Sequence, residues 1–468
     1  MVQMILSPAQ MDAVKATGEH ILIKGIPGSG KTTVLLAKLE KVLEEDSTAS
    51  VLFITYNNTL QKYINESLVV TLDEDISKHN VEVTTYHRWA KKVLSAIFAY
   101  KNPMKYDTFD TFYQTSLNSE SHRFYKESKY KDFLLEEIKW IKNKNINTYD
   151  EYKSIKRGGR GQALQEPDRK AVYDIMMAFN QYLTKKKVVM WEDYANMVNE
   201  NIVQINEKNT YDYVFIDETQ DLSQAQLISL RKVARKALIF AADLGQKIYK
   251  THFTWRSAGI NVKGGRTKSL IGAFRSTKEI MNLANSLLLH DTTLTEADIK
   301  QDYDAQPSDI LPAVLVAQQK TEYDMVSDLI KEILESYAET NDSCTIGVLN
   351  FENYVCDTIK GVLSKKGIEV ERIKDQLGSA LRPGVKVLTM HGAKGLEFDE
   401  VIITGMSSKF PNLKYVLEED MEEEINMARR LLYVSMTRAK NNVYITYKGE
   451  PSMYIKELDV SLYGLEKN

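Results

Sequence analysis

Two adjacent carboxylates stand at the end of a short apolar run. The run Tyr213–Ile216 is predicted to be a buried strand, and Asp217 and Glu218 follow it directly. A carboxylate at the end of a strand can help to hold a magnesium ion, and its neighbour can polarise a water molecule beside that ion. Because many strands end in solvated acidic residues, this chemistry also requires a phosphate-binding element elsewhere in the chain.

The segment Gly25–Thr32 is such an element, since it fits the pattern G-x-x-x-x-G-K-[ST] at every fixed position. A strand-like run, His20–Lys24, leads into it, and the helical apolar spacing of Thr33–Glu40 leads out of it. Backbone N–H groups of the glycine-rich turn can close on phosphate oxygens, and the helix N-terminus adds partial positive charge. Lys31 is expected to reach the β- and γ-phosphates, and the Thr32 hydroxyl to bind Mg²⁺. The expected nucleotide-binding residues of the loop are Gly25, Pro27, Gly28, Ser29, Gly30, Lys31, Thr32 and Thr33.

The overall composition is that of an ordinary globular protein. The chain has 468 residues, of which 43% are hydrophobic and 27% charged, and this length is enough for two or more domains. No apolar run approaches the length of a membrane span, so we expect no membrane partner. Cys344 and Cys356 have no metal-ligand spacing with other Cys or His residues. We therefore expect reduced, structural thiols in a cytoplasmic protein.

The formal net charge of −3 excludes a chain that binds nucleic acid through its overall positive charge. Any contact with nucleic acid must use a local groove. The most basic candidate is segment 151–190, which has nine basic and four acidic residues. Its glycine-rich stretch Arg157–Gly161 is equally compatible with a loop that lies along phosphates and with a solvated loop.

Strand-like runs alternate with helical stretches at both ends of the chain, an order typical of parallel α/β sheets. The first sheet is predicted to contain Ile21–Lys24, Val51–Tyr56, Val81–Thr85, Tyr213–Ile216 and Ala237–Ala242. The second sheet is predicted to contain Ser269–Phe274, Thr345–Leu349, Val385–Met390, Val401–Thr404 and Val443–Thr446. The block from about 95 to 205 has helical periodicity and few strand signals, which indicates a helical insertion in the first sheet domain.

Eight further short motifs occur in order along nearly the whole chain. They are Leu6–Gln10, Ile54–Asn58, Thr84–Arg88, Asp217–Asp221, Ala241–Tyr249, Ala273–Thr277, Thr389–Phe398 and Arg429–Lys440. Together with the phosphate loop, this series resembles the superfamily 1 helicases of the UvrD/Rep type. The strings Gly395–Phe398 and Leu432–Lys440 are highly specific for that family.

The resemblance implies two RecA-like domains that bind ATP in the cleft between them. The first domain would comprise residues 1–94 and 206–266, the helical insertion residues 95–205, and the second domain residues 267–468. Gln10 matches the residue that recognises adenine. Phe274 matches the aromatic residue that stacks on the base, and Glu397 matches a residue near the ribose.

The same resemblance implies a set of catalytic residues. Glu218 and Lys31 keep the roles derived above. Gln246 matches the γ-phosphate sensor that links the nucleotide to the nucleic-acid groove. Arg275 and Arg438 match the two arginines that the second domain places on the γ-phosphate, where they stabilise the charge of the transition state.

A further set of residues matches positions that contact single-stranded nucleic acid in the family. Tyr56 and Trp255 match aromatic residues that stack on bases. Stacking tolerates any sequence, which suits a motor that must pass along any strand. The positions near the strand backbone are matched by His87, Arg256, Thr389 and His391.

This chain departs from the family at one large feature. Family members usually carry a large insertion between the Phe274 motif and the Thr389–Phe398 motif, whereas here Gly367–Arg372 runs almost directly into Val385. We therefore expect the second-domain insertion to be absent or reduced to a short loop. That insertion tunes unwinding in the family, and translocation along a single strand is the activity that we expect not to require it.

These expectations describe an ATP-driven motor on single-stranded DNA, moving 3′ to 5′ by analogy with the family. A second interpretation is an ATPase that switches conformation or serves a partner protein, such as a nuclease, without processive unwinding. A third is a helicase that acts on RNA. Stimulation of ATP hydrolysis by a strand separates the second interpretation from the others, and DNA compared with RNA separates the first from the third.

Overall fold

The computed structural model describes residues 6–26, 28–55, 61, 64, 79–97, 102–117, 122–155, 157, 164–205, 209–242, 254–270, 272–273, 276–294, 304–319, 321–373, 382–411, 413 and 421–467. Its main architecture is two parallel sheets, one of six strands and one of seven, with helices packed against them. No helix within these ranges is long and apolar enough to cross a membrane.

The first part of the chain forms three strands of the six-stranded sheet and three helices. These elements are α1 (Pro8–Lys15), β1 (His20–Gly25), α2 (Lys31–Glu45), β2 (Val51–Thr55), β3 (Val81–Thr85) and α3 (Tyr86–Ser95). Strand β2 is buried along its whole length, and β1 along most of it. Such continuous apolar strands are expected in a parallel sheet that helices cover on both faces.

A predominantly helical insertion follows α3. Its elements are β4 (Asn102–Pro103), α4 (Thr108–Thr115), α5 (Arg123–Lys126), α6 (Lys131–Asn143), α7 (Tyr149–Ser154), α8 (Glu166–Lys186), β5 (Val188–Val189) and α9 (Asp193–Glu200). Helices α4 to α8 share a hydrophobic core of their own, in which Phe109, Phe112 and Phe179 contact one another. The helical character predicted for this part of the chain is confirmed.

The chain then returns to the first sheet. The returning elements are β6 (Tyr211–Ile216), α10 (Gln224–Val233), β7 (Ala234–Ala242) and β8 (Thr267–Leu270). The strand order is β3-β2-β6-β7-β1-β8, with every pair parallel. The placement of Ser269–Phe274 in the second sheet is therefore wrong for its described residues. Ser269 and Leu270 belong to β8, which pairs with β1, and Gly272–Ala273 pairs with Asp304–Ala305 in a separate two-stranded sheet. An apolar run carries no mark of the sheet that it joins, so only the tertiary pairing could assign it.

The remaining elements build the second sheet, its helices and a separate sheet of two short strands, Gly272–Ala273 and Asp304–Ala305. They are β9 (Gly272–Ala273), α11 (Lys278–Leu288), β10 (Asp304–Ala305), β11 (Ala313–Ala317), α12 (Glu322–Glu339), β12 (Thr345–Asn350), α13 (Asn353–Lys365), β13 (Val370–Arg372), β14 (Gly384–Thr389), β15 (Phe398–Ile403), α14 (Met421–Met436), β16 (Ala439–Lys448), α15 (Met453–Glu457) and β17 (Gly464–Lys467). The seven-stranded sheet has the order β13-β14-β12-β15-β16-β11-β17. The buried strand β11 lies inside this sheet and was not predicted.

The candidate functional residues of the first sheet lie at the carboxyl ends of its strands. Because all its strands are parallel, the carboxyl ends of β1, β3 and β6 lie on the same side. The phosphate loop follows β1, His87 follows β3, and the two carboxylates follow β6. Ligands of open α/β sheets bind at this edge.

Arg157 is a structural residue of the insertion. Its guanidinium Nε and Nη2 donate to the two carboxylate oxygens of Glu137, each at 2.7 Å, and both side chains are almost fully buried. The Tyr152 hydroxyl donates to the same carboxylate at 2.8 Å. This pairing favours a structural role over phosphate contact for Arg157, while residues 158–161 lie outside the described ranges.

The buried pair predicts a large cost for removing its carboxylate. In Glu137→Ala the Arg157 guanidinium would stay buried without this counter-charge, so we expect the free energy of unfolding to fall by about 3–5 kcal/mol. Urea unfolding of the whole chain, followed by circular dichroism, measures the change. The matched control is Glu136→Ala, since Glu136 forms only a partly exposed pair with Lys139 and should contribute about 1 kcal/mol or less. Equal losses in the two variants would contradict the structural role of the buried pair.

Candidate active site and nucleic-acid surface

The phosphate loop depends on glycine at defined positions. Gly28 and Gly30 have φ angles of 73° and 78°, in the left-handed region that glycine adopts without strain. A Cβ atom on Gly30 would lie 2.4 Å from the Gln10 side-chain nitrogen. Gln10 is held by two bonds: Nε2 donates to the Ser29 carbonyl at 3.1 Å, and Oε1 accepts from the Ser7 backbone N–H at 2.9 Å. The structure thus places Gln10 directly on the loop.

Two polar side chains of the loop suit a phosphate group. Lys31 Nζ donates to the carbonyl oxygens of Gly25 at 2.9 Å and Ile26 at 2.8 Å, so its ammonium lies inside the curve of the loop. The Ser29 hydroxyl is fully buried and has no hydrogen-bond partner among the described residues. A buried hydroxyl of this kind is costly unless a ligand satisfies it. Both features fit the phosphates of a nucleotide.

The predicted magnesium ligands are in contact. Thr32 Oγ1 donates to Asp217 Oδ2 at 2.6 Å, across 185 residues of sequence. Within the described ranges no group of three or more His, Cys, Asp or Glu side chains is placed to hold a metal. Mg²⁺ is commonly held by one or two protein oxygens, with waters and substrate phosphates completing its shell. The pair therefore fits Mg²⁺ bound together with a nucleotide.

The two adjacent carboxylates have different electrostatic environments. Burial, reinforced by the charge of Glu218, raises the pKa of Asp217 to about 6. Burial acts in the same direction on Glu218, but the cations of Lys394, Lys31 and Arg438 outweigh it and lower the pKa of that carboxyl. Glu218 therefore carries the negative charge, and Asp217 holds a proton more readily when no cation is bound.

A buried ion pair joins the two sheets beside these carboxylates. Lys394 Nζ, from the turn after β14, lies 2.6 Å from the carboxylate of Asp221, and both side chains are fully buried. Asp221 belongs to the 3₁₀ turn that follows Glu218, and its backbone N–H donates to the Glu218 carbonyl at 3.1 Å. Neither residue of this pair was predicted to have a role, because a contact across 173 residues leaves no local pattern.

Some of the other residues that were predicted to bind or hydrolyse the nucleotide lie within the described ranges, and others do not. Arg438 is 1% exposed, its Nε donates to the Val434 carbonyl, and its charge acts on Glu218. Thr33 follows Thr32 at the start of α2, and Glu397 is half-buried just before β15. The predictions for Pro27, Tyr56, Gln246, Phe274 and Arg275 concern residues outside the described ranges.

Two residues of the first domain that were predicted to contact the nucleic-acid strand lie on one turn, and a third, His87, lies in the first turn of α3. Trp255 and Arg256 belong to a 3₁₀ turn, Trp255–Ala258, capped by Thr254. Trp255 is half-buried with its ring 5.0 Å from Phe240, whereas Arg256 is exposed. Trp255 therefore has a packing role in addition to any exposed face that it offers.

An aromatic residue that no motif marked lies beside His87. Trp191 is 44% exposed, its ring centroid is 5.0 Å from that of His87, and the ammonium of Lys91 lies 4.5 Å from its ring centroid. Burial lowers the pKa of His87 to about 4, so this imidazole is neutral. An exposed indole beside a lysine suits a stacked base and its phosphate.

The residues of the second domain that were predicted to contact the nucleic-acid strand lie at the end of β14 and directly after it. Thr389 ends that strand, and its hydroxyl accepts from the Gly392 backbone N–H at 3.0 Å. His391 is half-buried with its ring 5.6 Å from that of Phe351. Burial, and then the charge of Lys394, lower the pKa of His391. The residues of this domain that were predicted to contact nucleic acid thus lie close to the buried ion pair.

The geometry of the site defines a class of protein. A phosphate loop and paired carboxylates on one parallel sheet, with cations supplied by a second parallel sheet, are the parts of a two-domain P-loop nucleoside triphosphatase. The family described as UvrD/REP helicase N-terminal domain matches residues 6–263, and that described as UvrD-like helicase C-terminal domain matches residues 374–450. The first match covers more than half of the chain, so this chain belongs to the UvrD/REP helicase family.

Several relatives are named as DNA helicases. The chain is 22% identical to a probable DNA helicase of Mycoplasma pneumoniae, over 94% of this chain and 84% of that protein. It is 25% identical to the ATP-dependent DNA helicase PcrA of Leuconostoc citreum, over 60% of this chain and 39% of that protein. A segment covering 17% of the chain is 41% identical to 12% of the PcrA helicase of Staphylococcus aureus. The chain thus aligns with less than half the length of these PcrA relatives.

The contact between Thr32 and Asp217 predicts the effect of removing one charge. Asp217→Asn keeps the shape of the side chain but loses the charge that suits a divalent cation, so we expect ATP hydrolysis to fall on the order of 100-fold or more. A coupled ATPase assay over a range of Mg²⁺ concentrations measures this. Asp212→Asn is the matched control, because Asp212 lies in the same strand and bonds to Ser50. Full activity of Asp217→Asn would remove Asp217 from the metal site.

Proposed function

We propose that this chain is an ATP-driven motor that moves along single-stranded DNA. The observation that carries the proposal is the buried meeting of the two sheets beside Glu218, where Asp221 pairs with Lys394 and Arg438 supplies a further cation. A change in the separation of the sheets would alter hydrolysis and would also move the Thr389–His391 turn. Coupling of this kind is what a motor requires.

The nucleotide site supports hydrolysis through residues of both domains. Lys31 and the backbone of the loop bind the phosphates, and Gln10, fixed against Ser29, is placed to recognise the base. Thr32 and Asp217 would hold Mg²⁺, which supplies positive charge to the phosphoryl oxygens. Glu218, held ionised by its neighbours, orients the attacking water. Arg438 stabilises the charge that develops in the transition state.

The strand path is proposed to run over aromatic residues of the first domain and polar residues of the second. Trp255 and Trp191 provide faces on which bases stack, and the exposed Arg256 meets phosphates. Thr389 and His391 contact the strand from the second domain. His87 is neutral, so we assign it to the support of the Trp191 ring, on which it packs, and not to an ion pair with a phosphate.

The proposed activity is translocation, 3′ to 5′ by family analogy, and not autonomous strand separation. Only residues 373–383 connect β13 to β14, and these two strands pair directly from Val370 to Arg372. The large insertion of the family therefore has no room at this point of the chain. The same observation favours a second candidate function, an ATPase that serves a partner such as a nuclease.

The proposed division into domains follows the sheets. We assign the first RecA-like domain to residues 1–94 and 206–270, the helical insertion to residues 95–205, and the second RecA-like domain to the residues after 270. The first boundary moves from 266 to 270 because β8 completes the first sheet. The buried free thiols of Cys344 and Cys356 accord with the reducing cytoplasm, where we place the activity.

The deciding experiment is the rate of ATP hydrolysis with no strand, with single-stranded DNA and with RNA of the same sequence, at low and physiological salt. Stimulation by DNA above that by RNA supports the proposal, and stimulation by RNA alone would replace DNA with RNA as the substrate. Hydrolysis that neither strand stimulates would favour the partner-regulated ATPase. Lys31→Ala, which is expected to abolish hydrolysis, serves as the negative control.

Trp191 gives the clearest prediction for the strand surface. The exposed indole of Trp191 is proposed to stack on a base. Trp191→Ala should therefore weaken single-stranded DNA binding by about 1–3 kcal/mol while ATP binding is unchanged. Fluorescence anisotropy with a labelled oligonucleotide measures the affinity. Tyr354→Ala is the matched control, since Tyr354 is an exposed aromatic residue on α13 of the second domain. If both variants bind like the wild type, Trp191 does not contact the strand.

A further inference from the structure

Gln224 occupies a junction between three parts of the molecule. It is the first residue of α10, three residues after Asp221, and the capping box of Ser223 and Gln226 fixes its backbone. The segment between Glu218 and Gln224 is short and ordered, since Leu222 N–H donates to the Thr219 carbonyl within the intervening turn. Gln224 therefore keeps a fixed position relative to the hydrolytic carboxylates.

The side-chain amide of Gln224 makes two contacts with distant segments. Nε2 donates to the Lys144 carbonyl, at the end of α6 in the insertion, at 3.0 Å. Oε1 accepts from the Ser257 hydroxyl at 2.8 Å. A backbone carbonyl only accepts, so the amide nitrogen must face Lys144 and the amide oxygen must face Ser257. The orientation of the amide is thus determined by its partners.

Ser257 is part of the turn that carries Trp255 and Arg256. Its backbone N–H donates to Thr254 Oγ1 at 3.1 Å, and its hydroxyl accepts from the Thr254 backbone N–H at 3.1 Å. The single hydroxyl hydrogen of Ser257 has two acceptors in reach, Gln224 Oε1 and the Thr254 carbonyl at 2.7 Å. A shift of Gln224 therefore alters the hydrogen bonding of the whole turn.

A second contact holds the same end of α10 to the insertion. Asn199 Nδ2 donates to the Ala225 carbonyl at 2.9 Å and to Asn145 Oδ1 at 3.1 Å. Lys144 is therefore bonded directly to the first turn of α10, and Asn145 is linked to the same turn through Asn199. The insertion cannot move against α10 without breaking these bonds, and through Gln224 the Trp255 turn is tied to the same point.

We infer that Gln224 is a positioning residue that couples strand binding at the Trp255 turn to hydrolysis at Glu218. A strand bound at the turn would shift Ser257 and, through its hydrogen bond, Gln224. Gln224 would in turn shift the segment that carries the catalytic carboxylates, while the insertion holds the other end of the Gln224 amide. This role rests on the proposed function. It assigns to Gln224 an effect on strand stimulation that is separate from strand binding and from basal hydrolysis.

The test compares wild type, Gln224→Met and a matched control, Gln181→Met, an exposed glutamine on α8. Methionine keeps the length of the side chain and removes both hydrogen bonds. We expect a homopolymeric thymidine oligonucleotide to stimulate Gln224→Met about fivefold less than wild type, as expected for the loss of one net hydrogen bond. Basal ATP turnover, KM for ATP and oligonucleotide affinity should match those of the control.

Each other outcome counts against the inference. Full stimulation of Gln224→Met would overturn it, and so would parallel losses of basal and stimulated turnover in a variant with native thermal unfolding. Gln224→Glu breaks only the bond to the Lys144 carbonyl and should change stimulation in the same direction; it replaces the methionine variant if that one does not fold. A wild-type enzyme that no strand stimulates would overturn the proposed function and the inference together.

Discussion

The buried ion pair between Asp221 and Lys394 is the interaction on which the candidate active site depends. Removing two charges from water costs several kcal/mol per ion, and their attraction offsets this cost only when the geometry is good. That geometry must come from both sheets, because Asp221 follows β6 and Lys394 follows β14. The pair therefore specifies how the two sheets meet at the place where hydrolysis is proposed. It also brings a cation near Glu218, which alone would be a poorly solvated carboxylate.

This electrostatic setting explains how two neighbouring carboxylates can take different roles. Asp217 lies deepest and contacts Thr32, and burial raises its pKa. Glu218 is surrounded by cations, two of which come from the second sheet, and its pKa is lowered. Groups whose environments drive their pKa values apart are suited to separate tasks. In this molecule the division depends on the closeness of the two sheets, so the first domain alone would not provide it.

The sequence was sufficient for features that local chemistry determines. The phosphate loop, its flanking strand and helix, and the carboxylates after β6 all have short motifs, and the two predicted magnesium ligands, Thr32 and Asp217, lie in contact. Features that depend on distant pairing were missed or misplaced. The strand at Ser269 has the same apolar pattern in either sheet, Trp191 belongs to no motif, and the partner of Lys394 lies 173 residues away. Only the folded chain brings such residues together.

The residues assigned to the nucleic-acid strand under the proposed function are unevenly distributed between the two domains. Among the described residues of the second domain, those assigned to the nucleic-acid strand lie in the Thr389–His391 turn. The first domain and its insertion supply the exposed indole of Trp191 and the turn of Trp255. The insertion is also the support against which Gln224 holds that turn. Under the proposed function, the aromatic contacts with the nucleic-acid strand would therefore lie on the first domain and its insertion. Under the proposed function the substrate is therefore a strand that is already single, since the residues assigned to it offer aromatic faces for unpaired bases.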